Sequence, residues 1–493
     1  MKRRAAGFAL ALSVLSARAL AFPVTVVQDA GATTQRFNVA ILGDGYRASD
    51  QAKLTSDAKA LVDALFDAVP YEPYRQLFNF KVIQAVSVDQ GAKGGSADGT
   101  PNTLFGAYFN CQGVAQLVCL DNAAVLSAAA ADVPEFNLAV VVVNDDKYGG
   151  AGGDVPCVST APESAEILRH ELGHKLANLA DEYTSPYPSY PACSVANDCD
   201  EPNVTLRSVR AQIKWLDWIA DSTPVPTTAG TGFAGVGLFE GARYMTTGFY
   251  RPVDTACKMQ SLGEPFCPVC AEALVRSFWN LTNVHLIDDA VPAADVKSAT
   301  CVAQTFTVKT PVIAPSTLSF SWTVDGHAEL DSAASLVVAA GALAEGSHTV
   351  VVTVKDATAL VRNDPNGVLT ETHTFKYDAP ACQLDASAPL DSGPGGNGLL
   401  DAGVASPEAG AADGGEAGAI ASTLGGAPGA GGSVSSGGNT PKPTPSRDEP
   451  SSTDKVGCSC RITSQHEGGR PFVLMSLLGA LAVLRRRRAF AIS

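Results

Sequence analysis

One pentapeptide, His170-Glu-Leu-Gly-His174, restricts this chain more than any other feature. On an α-helix two histidines four apart leave the same face one turn from each other, where their imidazoles can share a metal ion. Glu171, offset between them, is placed to reach a water on that metal. The flanks agree with a helix. Pro162 and Glu163 stand near its start, and Ile167, Leu168, Leu172 and Leu176 form an apolar packing stripe. The competing reading is a histidine pair and a glutamate that only satisfy hydrogen bonds in a core. A catalytic zinc needs three protein ligands and one open position for water. His170 and His174 are the only histidines before His285, so the third ligand must be a carboxylate or a cysteine. Asp181 follows seven residues later in Leu179-Ala-Asp-Glu-Tyr183. On an unbroken helix it would lie about 10 Å further along the axis, out of reach. The chain must turn back first, and Asn178 is the best local residue for that, since Asn tolerates the left-handed conformation.

With 493 residues, 46% of them apolar, the chain exceeds what one core needs, which predicts two folded domains and additional segments. A net charge of -15, from 50 Asp and Glu against 35 Lys and Arg, argues against nucleic acid as a partner. Lys2, Arg3 and Arg4, the apolar run Ala5 to Leu15 and the small-x-small Ala19-Leu20-Ala21 read as an export signal over residues 1–21, with Phe22 as the mature start. Arg18 breaks the run too early for a membrane span. Twelve cysteines in an exported chain predict disulfides. They fall into neighbourhoods: Cys111 with Cys119, Cys193 with Cys199, a group of Cys157, Cys257, Cys267 and Cys270, then Cys301 with Cys382, and Cys458 with Cys460. Cys267-Pro-Val-Cys270 also has the spacing of a zinc knuckle. No second C-x-x-C accompanies it, and an oxidising compartment favours disulfides over thiolates.

From 22 to 289 apolar runs alternate with helical stretches: Phe37 to Leu42, Phe80 to Val88 and Leu138 to Val143 read as strands, and Ser49 to Val69 as a helix. This predicts an α/β (α+β) layered domain. Residues 290–385 change to short alternating segments, Thr305 to Val308, Leu318 to Val324, Ser347 to Val354 and His373 to Tyr377, the pattern of a small all-β sandwich that Cys301 and Cys382 could staple. Residues 386–456 are rich in Gly, Ala, Ser and Pro and read as a disordered stalk. The tail, 457–493, holds Gly457-Cys-Ser-Cys460, the apolar run Pro471 to Leu484 and Arg485 to Arg488. It reads as a sorting segment or a short transmembrane anchor that keeps the folded domains outside the cell.

The motif departs from the extended metzincin pattern H-E-x-x-H-x-x-G-x-x-H: Ala177 stands in the glycine place and Ala180 in the third-ligand place, with both roles shifted by one to Asn178 and Asp181. In that form, with Leu179-Ala-Asp-Glu-Tyr183, it resembles the IgA-peptidase-type family of zinc metallopeptidases. Further agreement lies in Ile41-Leu-Gly-Asp-Gly-Tyr46, Val143-Asn-Asp-Asp-Lys-Tyr-Gly-Gly150, Cys257-Lys-Met259 and Phe266-Cys-Pro-Val-Cys270, so that the resemblance runs from Val24 to Thr282. It implies a metzincin-like fold, Zn2+ held by His170, His174 and Asp181, Glu171 as general base, and Met259 as the methionine of the turn beneath the metal, with Glu182 as the fallback ligand. Tyr183 and Tyr250 are candidates to stabilise the oxyanion, with a structural role as the equal alternative for each. The tail resembles the C-terminal sorting tails of myxobacterial surface proteins, which implies processing at Cys458 or Cys460 and association with the cell envelope.

These expectations make the chain an exported, cell-surface zinc metalloendopeptidase acting on a protein or peptide substrate, with an immunoglobulin-like or PKD-like module around Trp322. The strand around Leu138 to Val143, with its Gly-rich exit Gly149 to Gly153, would offer an edge on which an extended substrate pairs its backbone. Two alternatives stand beside this: a catalytically silent adhesion or glycan-binding protein on the same scaffold, and a zinc amidase or esterase for non-peptide substrates. The sequence holds nothing that fixes the oligomeric state or the natural substrate.

Overall fold

A computed structural model describes residues 21–382, apart from 97–98, 186–189, 195 and 331. The segments read above as an export signal, apart from its last residue, as a stalk and as a tail with Cys458 and Cys460 therefore lie outside the described residues. Among the described residues no helix is long and apolar enough to cross a membrane.

The first half is built on β1 (Val24–Gln28), β2 (Phe37–Asp44), α1 (Gln51–Leu65), β3 (Phe78–Ile83), α2 (Asn122–Asp132), β4 (Leu138–Val143), β5 (Gly150–Ala151), β6 (Cys157–Val158) and α3 (Ser164–Ala177). The six strands form one sheet in the order β1-β3-β2-β4-β6-β5, parallel at its centre and antiparallel at both edges. β2 and β4 are buried along their whole length because helices cover both faces, which is why they are continuous apolar runs. Alternation still divides them. Val39, Ile41, Val140 and Val142 join the core beneath α1 and α3, whereas Ala40, Leu42, Val141 and Val143 meet Val125 and Ala129 of α2 on the other face.

Local chemistry shifts two predicted boundaries. α1 starts at Gln51, after one tight turn closed by the Asp50 carboxylate on the Arg47 amide, and stops at Leu65, where the chain turns so that Phe66 packs edge-on against Tyr71. β3 leaves the sheet at Ile83, because Ser87 is taken up by the Gly45 and Leu104 amides, both donating to its hydroxyl at 3.0 Å. The sheet order also corrects the substrate-edge expectation for Leu138 to Val143: β4 lies between β2 and β6, and the edge strand on its side of the sheet is β5, within the Gly-rich exit.

β7 (Phe239–Ala242) and β8 (Met245–Arg251) form a hairpin, and α4 (Pro268–Phe278) packs against α3. Two further sheets follow from β9 (Asp289–Val291), β10 (Val296–Lys297), β11 (Gln304–Lys309), β12 (Leu318–Val324), β13 (His327–Ala328), β14 (Ser335–Val338), β15 (Gly346–Asp356) and β16 (Thr370–Ala379). Their orders are β10-β16-β15-β12-β13 and β14-β11-β9. Phe306 of the smaller sheet meets Phe375 of the larger at 5.1 Å between ring centroids, and Trp322, fully buried, stacks on Phe375. The 301–382 disulfide ties the start of this region to its end, and Cys111–Cys119 and Cys193–Cys199 are also bridged. Cys157, Cys257, Cys267 and Cys270 are buried and unbridged, contrary to the disulfide expectation for that group.

The sheet pair shares its core with the first half. Asp356 on β15 is buried and accepts hydrogen bonds from Tyr74 Oη and Trp279 Nε1, each at 2.8 Å, while its other oxygen takes Thr317 Oγ1 at 2.6 Å. Arg36 forks onto both oxygens of Asp288 at 2.6 and 2.7 Å, and Arg362 lies over the Trp218 ring.

Candidate metal centre

α3 carries the pentapeptide. Ile167, Leu168 and Leu172 are buried and fix the helix against α1 and α4, each contributing about 1.5–3 kcal/mol by burial. That packing turns His170 inward and leaves His174 half-buried at the helix end. Gly173 is there for space. A Cβ on it would come within 3.0 Å of Met259 Sδ, so the methionine segment lies directly beneath the helix between the two histidines.

The helix ends on Asn178, whose φ of 52° and ψ of 36° are left-handed. Its amide donates to the His174 carbonyl and the Leu179 amide to that of Gly173, both at 3.1 Å. The reversal brings Asp181, fully buried, back beside the histidines. His170 Nε2 and His174 Nε2 are 3.1 Å apart, and Asp181 Oδ1 lies 3.2 Å from the first and 3.4 Å from the second.

Tautomers decide what this triangle means. His170 Nδ1 lies 3.0 Å from the Lys258 carbonyl and His174 Nδ1 2.6 Å from the Leu179 carbonyl. A carbonyl only accepts, so both Nδ1 atoms donate, and in the neutral rings both Nε2 atoms carry lone pairs. Two nitrogen lone pairs and a carboxylate oxygen thus converge with no hydrogen among them, an arrangement that calls for a cation. The edges match tetrahedral ligands on zinc, about 3.3 Å for bonds of about 2.0–2.1 Å, and two imidazoles disfavour magnesium or calcium. Burial opposes charge on Asp181; when the two histidines are protonated instead, His174 and His170 hold its carboxyl well below the usual carboxylate range, so the carboxylate calls for positive charge at this point.

Behind the triangle, Tyr244 Oη donates to Asp181 Oδ2 at 2.6 Å and leaves Oδ1 to the histidines. Asn203 grips the same segment, accepting from the Ala180 amide and donating to its carbonyl, each at 2.8 Å. Neither residue was anticipated. Tyr244 lies 63 positions from Asp181 in sequence, and the one local oddity, consecutive left-handed residues Arg243 and Tyr244 in the hairpin turn, shows only in the backbone.

Glu171 is buried, and neither carboxylate oxygen has a hydrogen-bond partner among the described residues. Burial pushes its carboxyl up to about 8, against the pull of His170 and with Asp181 adding to the rise. Gly152, which follows edge strand β5, faces it closely: a Cβ there would stand 2.2 Å from Glu171 Oε2. The motif stretches at the ends of β2 and β4 build the loops nearby. Asp44 accepts from the Phe105 and Ala107 amides at 2.8 Å, Asp145 from the Ser96 amide at 3.0 Å, and Gly45 has room for no side chain against Gly91.

The fallback ligand Glu182 points elsewhere. Its Oε1 accepts from Asn203 Nδ2 at 2.9 Å and lies 3.3 Å from Cys270 Sγ, in a separate cluster with Cys257 and Cys267. Adjacent residues of an extended segment face opposite sides, so when Asp181 faces the histidines Glu182 cannot. Tyr183 Oη pairs with Tyr244 Oη at 3.2 Å, and burial lifts its pKa well above the usual tyrosine range; Tyr250 lies on β8, bridged to Thr205.

Residues 25–233 match the family IgA Peptidase M64, which supports a metallopeptidase. The match includes the pentapeptide and Asp181 but ends before Met259, so the part of the resemblance from 234 to 282 rests on its own residues. Among curated proteins no significant match was found.

Proposed function

We propose that this chain is a zinc metalloendopeptidase of metzincin-like fold, exported and held at the cell surface by its C-terminal tail, with a second, immunoglobulin-like domain from about residue 290. The observation that carries the catalytic reading is the convergence of His170 Nε2, His174 Nε2 and Asp181 Oδ1 within 3.1–3.4 Å, with both Nδ1 atoms committed to carbonyls.

In this reading His170, His174 and Asp181 hold the metal. When bound, zinc lowers the pKa of its water and polarises the substrate carbonyl. Glu171, beside His170 on the same helix, would be the group that accepts a proton from the attacking water and returns it to the leaving amine. Its burial and free carboxylate oxygens suit a group that must bind and release one proton. Tyr244 and the Lys258 and Leu179 carbonyls orient the ligands. The segment after β5 is the nearest backbone to Glu171, so an extended substrate is expected along Gly152 rather than along β4.

Both rival readings meet the same site. A silent binder has no use for a buried, unpaired Glu171, whose desolvation costs stability and returns nothing without turnover. A panel of unstructured peptides, esters and acyl amides, assayed on the zinc-loaded chain, separates the rest. Cleavage within peptides supports the proposal; turnover of esters or amides alone favours the non-peptide hydrolase, and binding without turnover favours the adhesin.

A further inference from the structure

The cluster around Glu182 is separate from the His170–His174–Asp181 triangle and joins Glu182 to three cysteines of the stretch Cys257 to Cys270. Cys257 comes from the turn that holds Met259, Cys267 and Cys270 from the start of α4, and Glu182 from the stretch after Asp181. All four side chains are buried, and one ligand atom from each lies within 4.8 Å of all the others. Cys257 Sγ and Cys270 Sγ are 3.6 Å apart, and Cys270 Sγ is 3.3 Å from Glu182 Oε1.

These separations suit a shared metal and not a bridge. Ligands on a tetrahedral zinc with Zn–S of about 2.3 Å stand about 3.8 Å apart for sulfur–sulfur and about 3.5 Å for sulfur–oxygen, whereas a disulfide requires about 2.05 Å. Three cysteines also cannot all pair among themselves: any one disulfide strands a thiol beside a buried carboxylate. The second oxygen supplies an independent observation, since Glu182 Oε2 is buried with no hydrogen-bond partner among the described residues. A buried carboxylate oxygen left so is costly unless a cation meets it. Meanwhile three other cysteine pairs of this chain are bridged while these thiols are not.

We propose that Cys257, Cys267, Cys270 and Glu182 form a second, structural zinc site. The C-x-x-C pair supplies two ligands, Cys257 just before it a third, and the fold brings Glu182 from the distant segment after Asp181. Binding converts three thiols to thiolates and releases their protons to solvent. The net charge of three thiolates, one carboxylate and Zn2+ is −2, and the buried Arg251 guanidinium lies within electrostatic reach of Glu182 and Cys257 to offset it. With four protein ligands the site has no open position, so it holds structure and carries no reaction.

Its position gives it a task. The Glu182 amide donates to the Met259 carbonyl at 2.8 Å, and the next carbonyl back, that of Lys258, receives His170 Nδ1. A metal that fixes Cys257 and Glu182 therefore fixes both the acceptor that sets the His170 tautomer and the residue joined to Asp181. The closed site steadies two of the three catalytic ligands.

The test is metal analysis of the full chain, purified with zinc, together with cobalt substitution. Wild type is expected to hold two zinc ions, and the double variant His170→Ala/His174→Ala to retain one. Cobalt-loaded wild type and that double variant should both show near-ultraviolet sulfur-to-cobalt absorption. Cys267→Ser/Cys270→Ser should lose one metal and this absorption; if it does not fold, the histidine double variant alone decides. One metal in wild type and none, with no thiolate absorption, in the histidine variant would overturn the proposal. So would a disulfide between any two of Cys257, Cys267 and Cys270 in non-reducing peptide mapping of wild type. Thiolate-bound cobalt with an empty histidine site would instead sink the catalytic reading and leave this one standing.

Discussion

At the residue scale the centre depends on which lone pairs face inward, and Tyr244 is the strongest lever on that which the sequence did not advertise. Tyr244→Phe removes the hydrogen bond to Asp181 Oδ2 and frees the carboxylate to rotate. Loss of such an outer partner costs about 10- to 100-fold in metal affinity or activity, which zinc competition with a chelator measures; unchanged affinity would mean that Asp181 is held by other contacts. Glu171 gives a second prediction through linkage. Burial raises its folded pKa from 4.5 to about 8, so the folded metal-free chain keeps a proton that the unfolded chain releases. The folded state then binds more protons between these values, and stability falls as pH rises through that window. The chelated protein is expected to melt progressively lower from pH 5 to 8, and Glu171→Gln to remove most of that slope; a slope equal in both proteins would assign it to other groups. The pentapeptide was legible because its chemistry is local. Tyr244, Asn203 and the Lys258 carbonyl were not, because each reaches the centre only through tertiary folding.

At the element scale the decisive feature is the end of α3. An unbroken helix would carry Asp181 away from the histidines, and the left-handed Asn178 prevents it. Asn178→Gly keeps that conformation accessible, whereas Asn178→Val must pay for it, at roughly 1–2 kcal/mol and more for a β-branched side chain. Activity and zinc affinity should survive in the glycine variant and fall in the valine variant, as read by thermal melting and metal titration; equal behaviour of the two would show that the turn is imposed by Asp181 and Asn203 alone. This turn, and the strands Leu138–Val143 and Leu318–Val324, could be read from residue type and periodicity, and the last two span the predicted ranges. Order within the sheet could not. β4 was expected to offer an edge, but short β6 and β5 follow it and cover it, and two-residue strands leave no periodicity to detect. The three cysteines stood in one neighbourhood of the sequence, with the zinc-knuckle spacing in Cys267-Pro-Val-Cys270; that Glu182 joins them, and not the histidines, is a property of packing that the sequence does not display.

At the scale of the whole molecule the two β-sheets beyond residue 289 do not hang from the first half as an independent bead. Asp356 receives Tyr74 and Trp279 across the junction inside one continuous apolar core. Asp356→Ala leaves a buried tyrosine hydroxyl and an indole N–H without that acceptor, which costs about 1–3 kcal/mol for each unsatisfied group. A clear drop in melting temperature with one cooperative transition is expected; two separate transitions in wild type would show that the halves unfold independently. The change in texture near residue 290 was visible in sequence, but the shared core was not, because alternating strands look alike whether their outer surface meets water or another layer.

The central claim is that one triangle of His170, His174 and Asp181, served by Glu171, binds zinc and cleaves peptide bonds. The most direct measurement is zinc content and peptide cleavage for the full chain beside Glu171→Ala and Asp181→Ala. Wild type is expected to cleave, Glu171→Ala to lose about 100- to 10,000-fold in activity with zinc at the triangle retained, and Asp181→Ala to lose both that zinc and activity. Full activity in Glu171→Ala, or undiminished zinc in Asp181→Ala, would contradict the central claim.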